Sequence, residues 1–460
     1  MNSRKHIKSI DIKYINRRIT AVMLAFALAV CSFGCGLSIE QPEEEYEREI
    51  EPIPDVTVTV SLDAPPGHEK EQSNTDTGDS GEAQFPDAYE NNESSEDYNI
   101  ESTEEAYTNN GLDGYTDEQI ASAGAVNVGK FAYERLPADQ KRIYNEIFLT
   151  LDNMSGEYEI DCHDVDLINN LFLCVMMDHP ELFWVSGYVY TKYTRGDVLE
   201  AMGFKGAYTM DADTVTARKA SIESYVSQCL AGMPASDDYA KIKYVYEYII
   251  RNTDYDTSAV DNQNICSVFI NGRSVCQGYA KAAQYLLNRA GVLCTLITGT
   301  AFGTGNHAWN LVRSNGSYYY LDVTWGDSNY RTEEGIEGTL PEISYDYLCV
   351  PGYEIFKTHT PDAPVDLPEC ISIDDNYYVR EGAYFNSLDE NKLKGLFDRA
   401  FSTGSDLVTI KASDASVYGI IRQYMLDEQN VFKYTGAYTG SNTISYWENK
   451  DLLTISFSLS

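Results

Sequence analysis

Three side chains in the middle of the chain have the types that together carry out nucleophilic catalysis. Cys276 begins a predicted helix that ends near Ala290, where Gly291 is suited to cap it. The free N–H groups and the dipole at a helix N-terminus favour a thiolate, which is the nucleophilic form of cysteine. Taken alone, such a cysteine is more often a small buried residue. Its assignment as a nucleophile therefore depends on His307 and Asp322, further along the chain.

The elements around His307 and Asp322 are predicted to bring these two side chains together. Asn315 and Gly316 are a strong signal for a two-residue hairpin turn between two strands. Such a turn predicts three opposed pairs: Ser314 with Ser317, Trp309 with Asp322, and His307 with Thr324. His307 and Asp322 are then diagonal neighbours on one face of the hairpin. Asp322 could orient the imidazole and stabilise its charge, and His307 could accept the proton of Cys276.

Three short motifs carry these residues: VCQGYA at 275–280, GNHAWN at 305–310 and YLDVTW at 320–325. In order and spacing they resemble the bacterial transglutaminase-like superfamily, which shares a papain-like core, over roughly residues 236–360. The resemblance implies Cys276 as nucleophile, His307 as general base and acid, and Asp322 as the orienting acid. It also implies acyl transfer from an amide through a thioester. Water as acceptor would make the protein a peptidase or amidase, and an amine would make it a transglutaminase.

The same superfamily contains inactive members, so a second function stays open. The alternative is a non-catalytic module that binds cell-wall components or proteins on the same fold. No cofactor and no metal are expected, because the Cys and His residues between 162 and 179 match no standard zinc spacing. His359, in the segment FKTHTPD, is expected to be structural and not catalytic.

The flanking segments predict an α+β protein with three folded parts. A helical N-terminal extension covers 118–235, the transglutaminase-like domain covers 236–360, and a small C-terminal α+β domain covers 375–460 after a Pro-rich linker at 361–374. Periodic apolar residues predict helices after Pro137 and over 164–177, 212–230, 236–251, 388–401 and 416–426. Alternating residues predict strands over 185–194, 293–299, 406–411, 443–447 and 452–457.

Composition limits the partners of the protein. The chain has 460 residues with a net charge of −37, so it would be repelled by nucleic acid and by anionic lipid surfaces. Eight cysteines lie between Cys162 and Cys370. If Cys276 is a free nucleophile, an odd number remains, and we expect at least one further unpaired thiol.

The N-terminus is predicted to be a targeting segment. Basic residues up to Arg18 precede an apolar run over 19–30, which is the pattern of an export signal. The following Gly34 and Cys35 resemble the lipobox of bacterial lipoproteins, which implies a signal peptide over 1–35 and lipid attachment at Cys35. The alternative is an uncleaved anchor, because residues 19–39 carry no charge and are long enough to span a bilayer. Either version places the protein on the outer face of the cytoplasmic membrane, at the bacterial cell surface.

Residues 36–117 are predicted to form an acidic, disordered tether. They hold 24 acidic residues against two basic ones and show almost no apolar periodicity. The segment 56–60 (VTVTV) alternates like a strand but has no evident partner nearby. A tether would hold the catalytic domain off the membrane, where peptide or protein amides, including cell-wall peptides, are the nearest substrates.

Overall fold

The computed structural model describes residues 58–61, 98–107, 112–302, 305–327, 342–439 and 443–459. Helices and strands are both abundant, and the chain has the α+β class that the sequence predicted. The fold has three consecutive regions, and the three motifs with Cys276, His307 and Asp322 all lie in the central one. None of the helices in the described residues has the length and apolar character needed to cross a membrane. The predicted signal segment with Cys35 lies outside the described residues.

The N-terminal region packs four long helices and several shorter elements around a four-stranded sheet. The first strand of the chain, β1 (Val58–Ser61), belongs to the C-terminal sheet. The elements of the N-terminal region are β2 (Asn99–Ala106), α1 (Asp117–Asn127), α2 (Phe131–Arg135), α3 (Ala138–Asp152), β3 (Tyr158–Glu159), α4 (Val165–Asp178), β4 (Val185–Arg195), β5 (Val198–Tyr208) and α5 (Ala212–Ala231). The sheet has the order β2-β4-β5-β3. Asp164 and Asp211 cap α4 and α5 through their carboxylates. The helices predicted after Pro137 and over 164–177 and 212–230 are confirmed.

The prediction that residues 36–117 are disordered throughout is wrong in two places. Asn99–Ala106 pairs in parallel with β4 over its full length, and its residues are all exposed. Val58–Ser61 pairs with residues 443–446 of the C-terminal region. Main-chain hydrogen bonds to a sheet edge require no apolar pattern, and for that reason a polar strand such as β2 escapes a search for hydrophobic periodicity.

The central region sets helices against a five-stranded sheet and contains the predicted site. Its elements are α6 (Asp238–Asn252), β6 (Asp254–Tyr255), β7 (Arg273–Ser274), α7 (Cys276–Arg289), β8 (Cys294–Ala301), β9 (Gly305–Ser314), β10 (Ser317–Leu321), α8 (Val323–Gly326), β11 (Leu348–Val350), α9 (Gly352–Ile355) and β12 (His359–Asp362). A single π-helical turn, Ser267–Asn271, precedes β7. The sheet order is β11-β10-β9-β8-β12. The apolar face of α7, which includes Tyr279, Leu286 and Leu287, is fully buried in the main core.

The C-terminal region has its own hydrophobic core. Its elements are α10 (Tyr377–Arg380), β13 (Tyr384–Phe385), α11 (Glu390–Thr403), β14 (Leu407–Ala412), α12 (Ala415–Arg422), α13 (Val431–Thr439), β15 (Thr443–Asn449) and β16 (Thr454–Ser458), with a π-helical turn at Gln423–Asp427. The sheet order is β1-β15-β16-β14-β13. The helices predicted over 388–401 and 416–426 and the three predicted strands are present, whereas α13 has no counterpart among the predicted elements.

The predicted linker over 361–374 does not form a separate segment between the central and C-terminal regions. Strand β12 runs to Asp362 inside the central sheet, and Val365, Leu367 and Cys370 pack against the main core. The buried ammonium of Lys411 on β14 lies 3.0 Å from the carboxylate of Glu354 on α9. The first set of contacts attaches the predicted linker to the central region, and the ion pair attaches the C-terminal region to it.

All eight cysteines from Cys162 to Cys370 are free and buried. The expectation of at least one unpaired thiol besides Cys276 is therefore confirmed. Burial raises the pKa of Cys174 and Cys229 to about 12 and that of Cys266 to about 11, so these thiols stay protonated.

Candidate active site

Cys276 is the first residue of α7, as the sequence predicted. The preceding residue, Val275, is extended, and the helix begins directly at the thiol. Gly278, in the first turn of the helix, is required by close packing, because a Cβ there would lie 1.9 Å from Ser274 Oγ and 2.8 Å from the carbonyl oxygen of Asn262. The glycine of the VCQGYA motif thus allows the helix start to sit directly on the loop beneath it. The N-terminal amides of α7 can stabilise negative charge at Cys276.

The hairpin that carries the other two residues forms as predicted up to Leu321. Ser317 faces Ser314 and Leu321 faces Asn310, in the register expected for a two-residue turn. Asn315 and Gly316 both have positive φ, 47° and 93°, which fits the type I′ turn favoured in such hairpins.

The register prediction is wrong beyond Leu321. Asp322 caps α8, and its Oδ1 accepts a hydrogen bond from the amide of Trp325 at 3.0 Å. Thr324 therefore lies within a helical turn and does not pair with His307. An aspartate is a strong N-cap residue, and here its capping ends the strand earlier than strand alternation indicated.

His307 and Asp322 nevertheless meet. His307 Nε2 lies 2.7 Å from Asp322 Oδ2. The sulfur of Cys276 lies within hydrogen-bonding reach of the same imidazole and favours its charged form. Because Nε2 faces the carboxylate, Nδ1 is the ring nitrogen left for the thiol. The structure thus brings all three predicted residues into one chain of contacts in the order Cys276, His307, Asp322.

This chain of contacts is almost completely shielded from solvent. Cys276 is 8% exposed, His307 is 1% exposed and Asp322 is fully buried. Burial lowers the pKa of His307, but the charge of Asp322, the hydrogen bond to it and the contact with Cys276 together raise this pKa to about 10. Burial raises the pKa of Asp322, whereas the two neighbouring imidazoles lower it well below the usual range. At neutral pH the carboxylate is therefore ionised and His307 is protonated.

Two tryptophans from the same motifs enclose the imidazole. The ring of Trp309 lies 6.0 Å from that of His307, and the ring of Trp325 lies 5.8 Å from it. Both indoles are buried, at 0% and 6% exposure. By excluding water they strengthen the electrostatic coupling between His307 and Asp322.

The sequence prediction missed a second histidine at the site. His359 Nε2 lies 3.1 Å from Asp322 Oδ2, the same oxygen that contacts His307. His359 begins β12, the edge strand that pairs with β8. Strand β10 lies near the other edge of the same sheet. The expectation that His359 is structural took no account of this contact with Asp322. The pairing of β12 with β8 bridges about sixty residues of sequence, and no local pattern could reveal it.

His307, Asp322 and His359 are also the residues that could hold a metal ion. Within the described part of the chain they form the group of three potential ligands, with their nearest ligand atoms within 4.8 Å of one another. Hydrogen bonds from the two imidazoles to one carboxylate oxygen already account for this convergence. The expectation that the protein uses no metal and no cofactor stays a prediction.

Comparison with known proteins agrees with this geometry. Residues 227–323 match the model of the Transglutaminase-like superfamily, a range that contains Cys276, His307 and Asp322 but not His359. Kyphoscoliosis peptidase from Homo sapiens is 27% identical over 131 residues, which are 25% of this chain and 19% of that protein. The Mus musculus protein of the same name is 25% identical over 124 residues, 24% of this chain and 18% of that protein. The chain thus spans about a fifth of the length of the curated relatives it matches.

A solved structure described as a TGase resembles 34% of this chain and 53% of its own, at 13% identity and a TM-score of 0.23. The family match and the contact chain concern the same segment, from the end of α5 to the residue after Asp322. The protein therefore contains a domain of the transglutaminase-like superfamily within an α+β chain.

Proposed function

We propose that this protein is an enzyme that transfers acyl groups from amide bonds through a thioester on Cys276. The observation that carries the proposal is the buried contact chain from Cys276 through His307 to Asp322. A non-catalytic binding module would have no need for an ionised carboxylate and a protonated imidazole in a dry site next to a thiol. Keeping two such charges out of water is costly, which favours a catalytic role for them.

In the first half of the reaction the thiolate attacks the amide carbonyl carbon. The negative charge then moves to the carbonyl oxygen, where the free amide N–H of Cys276 at the start of α7 can donate a hydrogen bond. His307 gives the proton on its Nδ1 to the leaving nitrogen, and the C–N bond breaks. The products are a free amine and a thioester on Cys276.

The second half reverses these roles. Neutral His307 accepts a proton from the incoming acceptor, which attacks the thioester carbon and displaces the thiolate. A water molecule yields a carboxylic acid, and a primary amine yields a new amide. Throughout, Asp322 holds the ring by its Nε2–H and stabilises the imidazolium.

Peptide or protein amides are the proposed substrate class. The curated relatives are named peptidases, which favours water as the acceptor. Cell-wall peptides are the candidates that an exported protein would meet first. A direct test is to incubate the full chain with wall peptides and a labelled amine and to identify the products by mass spectrometry. Cleaved peptides would establish hydrolysis, whereas incorporation of the label would establish transamidation.

The catalytic role of the thiol can be tested without a known substrate. A thiol-reactive acyl probe should modify Cys276 in the native full chain, and the Cys276→Ala variant should lose this labelling. Cys294→Ala is a matched control because Cys294 is also buried and free. Labelling that persists in Cys276→Ala and disappears in Cys294→Ala would contradict the proposal.

The proposed location is the outer face of the cytoplasmic membrane, with lipid attached at Cys35. Two acyl chains on one cysteine give stable anchoring, whereas a single chain gives only marginal binding. Cys35→Ala should release the protein or leave an unprocessed precursor, and Cys31→Ala should have little effect. Membrane retention and mass that are unchanged in both variants would instead establish an uncleaved anchor.

A further inference from the structure

The carboxylate of Asp322 is held at both oxygens, and one of them is shared by two histidines. Oδ1 accepts from the amide of Trp325, while Oδ2 lies 2.7 Å from Nε2 of His307 and 3.1 Å from Nε2 of His359. His359 is itself only 1% exposed. The triad chemistry described above uses His307 alone, so the second imidazole has no assigned role.

The fold places His359 there through an unusually close strand contact. Strand β12 pairs antiparallel with β8, so that His359 faces Ala301 and Pro361 faces Gly299. A Cβ on Gly299 would lie 2.1 Å from the carbonyl oxygen of Thr360. Only glycine permits this approach, which brings the His359 ring to 5.4 Å from that of His307.

The contact of His359 with Asp322 assigns a proton to Nε2. This nitrogen faces an ionised carboxylate oxygen, which can only accept a hydrogen bond, so the ring donates its Nε2–H to Asp322. Nδ1 lies 2.8 Å from Thr358 Oγ1, whose hydroxyl also donates to the carbonyl oxygen of Ile355. Burial lowers the pKa of His359 despite the opposing effect of Asp322, which agrees with a neutral ring.

Few other ionisable groups lie close to His359 and Asp322. His307 faces His359 from β9, and Tyr347 lies against it from the segment before β11, at 6.0 Å between rings. Burial raises the pKa of Tyr246 on α6, and the nearby charge of Asp322 raises it further. Tyr246 is therefore neutral. Cys276 on α7 acts on the carboxylate through His307. The two indoles of Trp309 and Trp325, at 4.9 Å and 4.5 Å from the His359 ring, complete the surroundings.

We propose that His359 is a positioning residue of the active site, which donates its Nε2–H to Asp322 and fixes the carboxylate plane so that Oδ2 stays on His307. This role rests on the proposed function of Cys276. Without His359, the carboxylate can rotate about its remaining contact with Trp325. Its hydrogen bond to the charged His307 ring then weakens, and the thiolate of Cys276 is less stabilised. His359 lies outside the range that matches the family model, so this role belongs to the chain beyond its matched domain.

The test is the pH dependence of Cys276 alkylation by iodoacetamide in the full chain, measured by mass spectrometry of the Cys276 peptide. Alkylation follows the thiolate and requires no substrate. In His359→Phe we expect the midpoint of the profile to move upward by roughly one pH unit, the size expected for one lost hydrogen bond to a charged group. His359→Gln can present an N–H at the position of Nε2 and should restore most of the wild-type midpoint.

A matched control is His179→Phe, which replaces another buried histidine that is also hydrogen-bonded to a carboxylate but lies elsewhere. Its midpoint should equal that of the wild type. If His359→Phe is folded and keeps the wild-type midpoint, or if its midpoint moves downward, the positioning role is wrong. The same holds if His359→Gln behaves like His359→Phe. If wild-type Cys276 itself reacts as an ordinary exposed thiol, the proposed function fails instead.

Nitrogen-15 NMR of histidine-labelled wild-type protein gives a second test that does not depend on the folding of a variant. The His359 ring should carry a proton on Nε2 at pH 7. A neutral ring protonated only at Nδ1 would overturn the proposal.

Discussion

His307 and His179 are buried histidines in two different regions of the molecule, and each contacts a carboxylate of its own region. His307 Nε2 lies 2.7 Å from Asp322, and His179 Nδ1 lies 2.8 Å from Glu181 in the N-terminal region. Both rings are 1% exposed. By distance and burial the two pairs are nearly equivalent.

The difference lies at the second ring nitrogen. His307 has the thiol of Cys276 there, whereas His179 Nε2 has no hydrogen-bond partner. His179 instead stacks on Phe148 at 4.4 Å, and its carboxylate also approaches Lys130 at 3.6 Å. A histidine–carboxylate pair is thus not in itself a sign of catalysis. A thiol at the other nitrogen and a carboxylate held only by uncharged donors and imidazoles distinguish the pair for which we propose a catalytic role.

The largest expected effect separates the two histidines directly. His307→Ala should lower acyl transfer by roughly a thousandfold, within the range for loss of a general acid and base. His179→Ala should leave acyl transfer unchanged and lower the free energy of unfolding by about 2 kcal/mol, because it removes a stacked buried ring and its hydrogen bond. Product formation and denaturant unfolding check the two outcomes.

The distinction between the two histidines would be wrong if a folded His179→Ala protein lost as much activity as His307→Ala. The N-terminal region would then contribute to the chemistry, and the second nitrogen of the imidazole would not be the deciding feature.

The second prediction concerns Asp322 and pH. Asp322→Ala should lower activity by roughly a hundredfold or more, and Asp322→Asn should retain more activity, because an amide can still orient the ring. With the negative charge gone, burial lowers the pKa of His307 and only the contact with Cys276 still raises it. The alkaline limb of the activity profile should therefore move to lower pH than in the wild type, where the pKa of His307 is raised to about 10.

The same charge affects stability. The pKa of His307 is higher in the folded protein than the unfolded value of 6.5, so the contribution of its charged form is fully present below pH 6.5 and is lost as the pH rises to about 10. Denaturant unfolding of the wild type should show this loss, and Asp322→Asn should not. An equal dependence in both proteins would show that another group titrates.

The approach of Cys276, His307 and Asp322 to one another could be predicted from the sequence because these residues lie in local, strongly patterned elements. Cys276 begins an amphipathic helix, and the turn at Asn315 and Gly316 sets the strand register up to Leu321. The termination of the strand by Asp322 could not be read from alternation, since capping and strand pairing compete for the same residue. The contact of His359 depends on β12, a short strand whose partner is distant in sequence. The polar strand β2 was missed for a related reason, because only the edge of β4 makes it a strand.

A third, smaller effect is expected at Gly299. Gly299→Ala places a Cβ against the carbonyl oxygen of Thr360, so β12 must move away from β8. We expect a loss of about 1–3 kcal/mol in stability, the usual range for overpacking. The midpoint of Cys276 alkylation should move in the same direction as in His359→Phe. Gly395→Ala is a suitable control, since Gly395 lies in α11 with open space around it.

The smallest expected effect tests whether the turn of the hairpin matters for the site. Gly316 has φ of 93°, and a Cβ added there would meet no heavy atom within 4 Å, so Gly316→Ala introduces backbone strain without a collision. The cost should be about 1 kcal/mol in denaturant unfolding. The alkylation midpoint should stay at the wild-type value, because the pairing of β9 with both β8 and β10 holds the His307 strand in register. A shifted midpoint in a folded Gly316→Ala protein would mean that the turn controls the distance between His307 and Asp322, and that the active pair is less firmly held than its contacts indicate.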